Sequence, residues 1–473
     1  MSAASQERQA TSGRRRRRWG LYGFLVVCLI LSGWFVHFAY LRMTRRPTPR
    51  PKYWAARLDA IDPLPDGGPT AAEAYKILAF RSWEAAARQP VPGAWQPAET
   101  VARGPWDQER DDVAVVTEVF ESRAYEQASA ELREAVKAGW RERYGLAPRA
   151  RLPDSYDYES WAEWLMAHSR WAREHNGDID VAVEDWLTVL RLSRQFRRGG
   201  LGYDWFWAAR WVSSVAAEMV YCVSESAGAI DTHELMLQID SIEAPGATPG
   251  ALLEEARLSM QCYLEFVYVR EGAGWLSVSD SVSTSGASGG APKPSRIWNL
   301  ASPLFHDLGS ARAAVDRYIG AAEALSDIRA CVRRHADREG DRSDLDLTVL
   351  DGFPGCGSWL LERALWRHYM VRCELDAGVT MLALREYHRA YGSYPVSLEE
   401  LVPDFLPRLP IDYVDRRALR YARTDDGYLL YSIGEDGRDD GGAHDLESRD
   451  RWDRDYSPDV VFSAVRRPEG RRR

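Results

Sequence analysis

The sequence predicts a mainly α-helical chain with an N-terminal transmembrane helix, a helical ectodomain and a small α+β module at the C-terminus. Three observations predict this fold class. An uncharged apolar run lies near the N-terminus, apolar residues recur at helical spacing through most of the body, and strand-like segments with a hairpin signal occur only near the C-terminus. We therefore expect helices throughout the body and one three-stranded antiparallel sheet after it.

The composition is that of a globular chain that can bury substantial cores. The chain has 473 residues, of which 45% are hydrophobic. Its formal net charge is -9, whereas a nucleic-acid-binding domain needs a basic face to neutralise phosphates. No nucleic-acid partner is therefore expected.

The first predicted element is a membrane anchor at residues 20–41. The run from Leu21 to Leu41 contains no Asp, Glu, Lys or Arg, and at about 1.5 Å per residue it crosses a hydrocarbon core of about 30 Å. Cleavage as a signal peptide is not expected, because Trp34 and Tyr40 are bulky where a cleavage site needs small residues. Membrane lipid is therefore the first expected partner.

The charges flanking the anchor predict its orientation. They are balanced in number, but five consecutive arginines, Arg14 to Arg18, lie directly before the span. Positive charge near a span favours the cytoplasmic side, and long C-terminal domains translocate largely regardless of charge. We expect a basic cytoplasmic tail at 1–19 and an extracytoplasmic body on the inner or cytoplasmic membrane, which the chain crosses once.

Composition shifts divide the rest of the chain. The stretch Arg45 to Lys52 contains three prolines and is not expected to be helical. A later stretch is rich in Ser and Gly, which is typical of a flexible linker. The predicted order after the anchor is a Pro-rich stalk at 42–70, a helical domain at 71–271, the linker at 272–296, a helical segment with loops at 297–358, the C-terminal module at 359–466 and a basic tail at 467–473.

A helical hairpin is predicted within the helical domain, from Ser160 to His175 and from Asp178 to Phe196. Asn176-Gly177 is a typical end of a first helix, and Asp178 or Asp180 can cap the second. The hairpin is similar to a tetratricopeptide-type hairpin. No second copy at a period of about 34 residues is found, so a repeat array is not supported.

The C-terminal module begins with the longest predicted helix, Trp359 to Tyr391, which Gly392 ends. Ser397 to Glu400 has the sequence of a capping box and predicts a short helix. Asp425-Asp426-Gly427 is a strong hairpin signal. The predicted strands are Ala418 to Arg423, Tyr428 to Ile433 and Asp459 to Ala464.

The residues around these elements form a recognisable pattern. Tyr394-Pro395, Leu409-Pro410 and the run Tyr431 to Gly437 (YSIGEDG) follow the long helix in this order. With them, residues 382–442 resemble the C-terminal part of the major pseudopilins of type II secretion systems. The resemblance implies a long helix, a small antiparallel sheet and an acidic calcium loop.

The resemblance does not extend to the N-terminus. Pseudopilins are cleaved at a Gly-Phe junction and carry glutamate at the fifth mature position, whereas Cys28 is the fifth residue counted from Phe24 here. A large helical body also separates the anchor from the module. Assembly into a pilus-like filament is therefore not expected.

The loop from Glu435 to Asp459 is crowded with carboxylates and glycines, which suits calcium coordination. A solvated acidic loop without metal is the alternative interpretation. If the pseudopilin pattern applies, the resemblance implies a structural calcium ion held by backbone carbonyls and by Ser432, Asp436, Asp439, Asp440 and Asp445.

Catalytic motifs are not found in the sequence. It has no nucleophile elbow, Walker A or Rossmann glycine pattern. Cys356 lacks the second cysteine of the papain-like pattern that it superficially matches, and the six cysteines have no zinc-finger spacing. His168, His175 and His233 are interpreted as ordinary core or surface histidines. No small-molecule substrate is identified.

The leading hypothesis is therefore a non-enzymatic interaction or scaffold role in a bacterial envelope, related to secretion, with a protein partner. The alternative is a membrane-anchored extracytoplasmic hydrolase that acts on cell-wall polymer or protein. Its candidate acids are Glu163, Glu184 and Asp185. Its candidate substrate platform is formed by Trp161, Trp164, Trp171 and Trp186. A Trp-rich helix-helix core is the preferred interpretation of these residues, because their spacing is the one that helix packing requires.

Overall fold

The computed structural model describes the chain in separate stretches. The predicted tails at 1–19 and 467–473 and the linker at 272–296 lie outside the described residues. Most of the helical segment predicted at 297–358 also lies outside them. The described residues are 22–37, 51–61, 69, 73, 77–78, 111–139, 155–198, 202–224, 230–243, 251, 253–258, 260–261, 312–313, 315–317, 319, 358–425, 427–434, 437–442 and 459–462.

The predicted mainly helical fold class is confirmed. Helices make up most of the described body, and short strands follow the last of them. The helices are α1 (Pro51–Ile61), α2 (Asp111–Phe120), α3 (Arg123–Ala138), α4 (Ser155–Asn176), α5 (Ile179–Arg197), α6 (Gly202–Ser224), α7 (Thr232–Glu243) and α8 (Ser358–Tyr391). The strands are β1 (Ile411–Asp412), β2 (Arg417–Ala418), β3 (Arg420–Thr424), β4 (Gly427–Ser432) and β5 (Val460–Val461).

Residues 22–37, within the predicted anchor, are helical. Their large apolar side chains are exposed, among them Phe24, Leu29 and Phe35. In the part of the chain that the structure describes, no helix combines the length and the apolar character needed to cross a membrane.

Helix α1 differs from the stalk predicted at 42–70. Pro51 opens this helix, although the stretch Arg45 to Lys52 is predicted to be non-helical. Proline is tolerated in the first helical turn, because the N–H that it lacks has no intrahelical partner there. Trp54 and Leu58 are buried together with Leu258, so apolar burial stabilises the helix.

Helices α4 and α5 form the predicted helical hairpin. Gly177 has a φ of +69° and donates its N–H to the Arg173 carbonyl at 3.1 Å, which ends α4 as a left-handed glycine does. Asp178 is the cap of α5, since its carboxylate accepts from the N–H of Val181 at 3.1 Å.

Helix α8 connects the helical body to the C-terminal module. Its middle packs closely against α6, where a Cβ added at Gly378 would lie 3.1 Å from the Cβ of Met219. Leu382 of α8 is fully buried in the same core as Leu401 and Leu430 of the module. The boundary predicted near residue 359 therefore does not separate two cores, because one continuous core contains both parts.

The predicted antiparallel three-stranded sheet is confirmed near the C-terminus. Its strand order is β3-β4-β5, with β4 in the centre. Thr424 pairs with Gly427, so the hairpin turn lies where the Asp-Asp-Gly signal predicts it. A second, two-residue ladder, in which Ile411 pairs with Ala418, is not predicted from sequence because strands this short carry no periodic pattern.

The turn after α8 is capped differently from the prediction. Gly392 ends α8 with a φ of +72°, as expected. The short helix Leu398–Leu401 is a 3-10 turn, and the side chain of Ser397 makes no capping hydrogen bond. Glu400 instead accepts from the N–H of Val396 at 2.9 Å and from the hydroxyl of Tyr387 at 2.6 Å. This ties the turn back to α8.

Candidate functional site

The acidic loop begins after β4 and ends before β5. Of the predicted calcium ligands, the structure describes Ser432, Asp439 and Asp440. Asp436 and Asp445 lie outside the described residues. The geometry of the site is therefore given by the two framing strands and by residues 437–442.

Ser432 is fully buried, and its hydroxyl is engaged by protein groups. The hydroxyl donates to Asp412 at 3.0 Å and accepts from the N–H of Gly434 at 3.3 Å. The buried carboxylate of Asp412 also accepts from the N–H groups of Val414 and Ile433, each at 3.0 Å. Burial raises the pKa of Asp412 even against these donors. Ser432 therefore supports a carboxylate that joins β4 to the segment after β1.

Asp439 is held in place by three donors. One oxygen accepts from the Tyr431 hydroxyl at 2.8 Å and from the N–H of Gly441 at 3.1 Å. The other lies 3.6 Å from Nε of Arg420. The hydrogen bond from Tyr431, followed by that from Gly441, holds the pKa of Asp439 below its ordinary range. Asp439 is thus an ionised and oriented carboxylate at the start of the loop.

Asp459 is the member of this cluster that the predicted ligand set omits. It is 1% exposed, and its Oδ2 accepts from the N–H groups of Gly442 at 2.7 Å and Asp440 at 3.0 Å. Its Oδ1 is buried with no hydrogen-bond partner in the described structure. Burial, and then the charges of Asp439 and Asp440, raise the pKa of Asp459. The available sequence signal was its position where the acidic loop meets the last predicted strand.

This arrangement suits a hard cation, because carboxylate oxygens are the ligands that calcium prefers. A cation beside Asp459 would give its unpartnered oxygen a ligand and would offset the repulsion from Asp439 and Asp440. Within the described ranges, no group of three or more Asp, Glu, His or Cys side chains is close enough to hold a metal ion. A full calcium shell therefore requires further ligands from the loop.

A second polar cluster is buried between α3, α4 and α5. Asp185 is fully buried, and one of its oxygens accepts from Arg133 at 2.6 Å. The other lies 2.6 Å from Nδ1 of His168, which donates because an ionised carboxylate only accepts. His168 is thus a satisfied histidine, as expected, and it also lines a cavity of about 270 Å³.

The candidate acids of the hydrolase hypothesis have different surroundings. Asp185 is engaged by two side chains, as described. Glu184 lines the cavity and pairs with Lys137 at 2.9 Å. Glu163 is buried elsewhere and is not among the described residues of the cavity wall. The three candidate acids therefore do not meet at one place, because Glu163 lies away from the neighbouring residues Glu184 and Asp185.

The tryptophans of the hairpin are packing residues. Trp161, Trp164, Trp171 and Trp186 are all at least nine-tenths buried. The ring of Trp171 stacks with His168 and with His175, at centroid distances of 5.6 and 5.5 Å. Its indole N–H donates to the Thr117 hydroxyl at 3.0 Å. These contacts support helix packing, and of the four residues Trp171 also lines the cavity beside His168.

Comparison with known proteins adds no assignment to this geometry. No family model matches the chain, and neither a curated protein nor a solved structure matches it. Function is therefore inferred from the chemistry of the described residues.

Proposed function

We propose that the chain is a single-pass envelope protein with an extracytoplasmic body that acts by binding another protein, in a role related to secretion. The observation that carries this proposal is the uncharged apolar run at 20–41 in front of a body whose end resembles a pseudopilin module. Leu29 and Phe35 within this run are 71% and 67% exposed. Contiguous apolar surface needs a lipid or protein cover.

Exposed apolar side chains on the module support an interaction role. Tyr391, the last residue of α8, is 62% exposed, and Val396 beyond it is 73% exposed. Val396 is held next to α8, because Glu400 accepts from its N–H and from the hydroxyl of Tyr387. The likeness of α4 and α5 to a tetratricopeptide-type hairpin agrees with the same role.

Topology is the first test. Alkaline phosphatase, which is active only outside the cytoplasm, is fused after residue 473 of the full chain, and green fluorescent protein is fused at the same point in a second chain. We expect active phosphatase and a dark fluorescent protein. If the phosphatase is inactive and the green fluorescent protein fusion is fluorescent, the body lies in the cytoplasm and the proposed orientation is refuted.

The interaction is tested by photocrosslinking in native membranes. A photoreactive amino acid is placed at Val396, and a matched chain carries it at Leu237, an apolar α7 residue that is 44% exposed. We expect a discrete protein adduct from position 396 that Tyr391→Asp reduces, and none from position 237. Equal labelling at the two positions would refute an interface on the module.

We further propose that the acidic loop holds a structural calcium ion. The unpartnered oxygen of Asp459 and the carboxylates crowded around it support this proposal. Ser432 then acts indirectly, through its hydrogen bond to Asp412. The proposed side-chain ligands are Asp436, Asp439, Asp440, Asp445 and Asp459.

Thermal denaturation with calcium or with chelator tests the calcium site. Free calcium at about 100 times its Kd should stabilise the fold by about 2.7 kcal/mol. Asp459→Asn should remove this gain, whereas Asp404→Asn, at an exposed position outside the loop, should keep it. An equal melting temperature in calcium and in chelator would show that the loop is merely solvated.

A further inference from the structure

A cavity in the helical body has no part in the proposed interaction role. It measures about 270 Å³ and lies where the end of α2 meets α3, α4 and α5. Ligand pockets typically measure about 300–1,000 Å³, so this cavity is slightly smaller than the typical range and has room only for a small organic molecule. The wall residues that matter here are Phe120, Tyr125, Glu126, Trp171, Asp178 and Glu184.

Tyr125 belongs to this wall, and its buried hydroxyl is an unpartnered polar group. Tyr125 is 8% exposed, and no group in the described ranges hydrogen-bonds its hydroxyl. Burial, and then the nearby charge of Asp185, raise its pKa, so the phenol stays protonated. Because a buried hydroxyl without a partner costs free energy, it needs a polar group from a ligand or from water.

The charges at the inner end of the cavity are already compensated. The guanidinium of Arg133 lies 2.6 Å from the carboxylate of Asp185. The same carboxylate is 2.6 Å from the imidazole of His168. The charge of Arg133 is therefore compensated, although its Nε has no hydrogen-bond partner in the described ranges.

The charges at the outer end leave two carboxylates uncompensated. Glu184 is paired with Lys137 at 2.9 Å and with Arg191 at 3.4 Å. Glu126 and Asp178 form no ion pair with any residue that the structure describes, and both are exposed. Asp178 uses one oxygen to cap α5, which leaves the other for a ligand.

We propose that this cavity binds a small-molecule primary amine in its protonated form. The ammonium group donates to the hydroxyl oxygen of Tyr125 and to the carboxylates of Glu126 and Asp178, and the apolar body packs against Phe120 and Trp171. Carboxylates at the mouth repel an anion and attract a cation. This ligand binding goes beyond the proposed interaction role, and neither depends on the other.

Three probes with the same apolar body test the charge preference. Isothermal titration of the full chain in detergent at neutral pH uses 2-phenylethylamine, 2-phenylethanol and phenylacetate. We expect the amine to bind about tenfold or more tightly than the alcohol, because hydrogen bonds to a charged group are stronger, and phenylacetate to bind weakest. Alcohol or acid binding as tightly as the amine, or no saturable binding of the amine, would overturn the proposal.

Side-chain variants then locate the amine. Tyr125→Phe, Glu126→Gln and Asp178→Asn should each weaken amine binding by about fivefold or more and affect the alcohol less. Asn at 178 still offers an oxygen to cap α5, and position 126 is exposed, so these chains should fold. Glu121→Gln, an exposed control outside the cavity wall, should change nothing. If the control weakens binding as much as Glu126→Gln, the cavity is not the site.

Discussion

Arg408 and Asp376 form a bidentate ion pair that fastens the segment after α8 to α8 itself. The two guanidinium nitrogens donate to the two carboxylate oxygens at 2.8 and 3.1 Å. The same guanidinium donates to both oxygens of Asp240 on α7, at 2.7 Å each. Asp376 is 1% exposed, so its carboxylate is shielded from water. One arginine thus joins the segment after α8 to both α7 and α8.

Loss of this arginine should strongly destabilise the fold. Arg408→Met leaves the buried Asp376 without its bidentate partner, and breaking such a pair costs about 3–5 kcal/mol. Arg417→Ala is the matched control, because its side chain is 81% exposed, and its effect should be within about 0.5 kcal/mol. Chemical denaturation measures both. Similar midpoints for the two variants would mean that the ion pair contributes little.

His368 of α8 is buried in a neutral state beside a cation. Arg197 lies 2.9 Å from its Nδ1 and donates to Glu243 at 3.2 Å. Because a guanidinium only donates, Nδ1 of His368 accepts and carries no proton. Burial and then Arg197 lower the pKa of His368 to about 3. Burial alone would raise the pKa of Glu243, but Arg197 and Arg372 lower it to about 2.

These two shifts predict a loss of stability in acid. Both groups bind fewer protons in the folded than in the unfolded chain, so stability falls as pH decreases. The loss through His368 begins below its ordinary pKa of 6.5 and continues to about 3. The loss through Glu243 begins below 4.5 and continues to about 2. Between pH 6.5 and 4.5, His368 should therefore lower the free energy of unfolding by about 1.4 kcal/mol for each pH unit of acidification.

Denaturation midpoints measured across this pH range test the prediction. His368→Gln retains an acceptor for Arg197 and does not titrate, so it should flatten the dependence between pH 6 and 4.5. His388→Gln, at an exposed position of the same helix, should leave the dependence unchanged. The prediction fails if the slope is the same with and without the imidazole at 368.

Gly378 allows α6 and α8 to pack closely. A Cβ at this position would lie 3.1 Å from the Cβ and 3.2 Å from the sulfur of Met219, which is fully buried. Gly378→Val should therefore destabilise the fold by about 1–3 kcal/mol through overpacking. Ala390→Val places the same side chain at an exposed position of α8 and should cost less. Thermal denaturation compares the two variants. If Gly378→Val leaves the melting temperature unchanged, the two helices can move apart easily.

The buried cysteines should be chemically inert in the folded chain. Burial raises the pKa of Cys222 to about 11 and holds that of Cys373 well above its ordinary range. Since the thiolate is the reactive species, iodoacetamide at pH 8 should modify neither residue until guanidinium unfolds the chain. Mass spectrometry of each site measures this. Labelling of Cys222 or Cys373 at the same rate with and without denaturant would contradict the buried placement.

The sequence was sufficient to predict those helices and turns that are determined by residues close to them in the chain. The period of apolar residues predicted α8, and Gly392 predicted its end, because helix geometry and a left-handed stop depend on near neighbours. The same holds for the hairpin turn at Gly177 and for the turn between β3 and β4. The predicted capping box is incomplete, because the side chain of Ser397 makes no capping hydrogen bond, whereas Glu400 accepts from the N–H of Val396 and from the hydroxyl of Tyr387 on α8.

Sequence by itself determined the mainly helical class, the helical hairpin of α4 and α5 and the C-terminal sheet, because each follows from short-range periodicity and turn chemistry. Only the tertiary structure decided which polar groups meet. Arg408 reaches Asp376 and Asp240 across long separations in the chain, and Asp459 meets Asp440 only because β5 pairs with β4. Burial and charge partners act through space, so no local pattern records them.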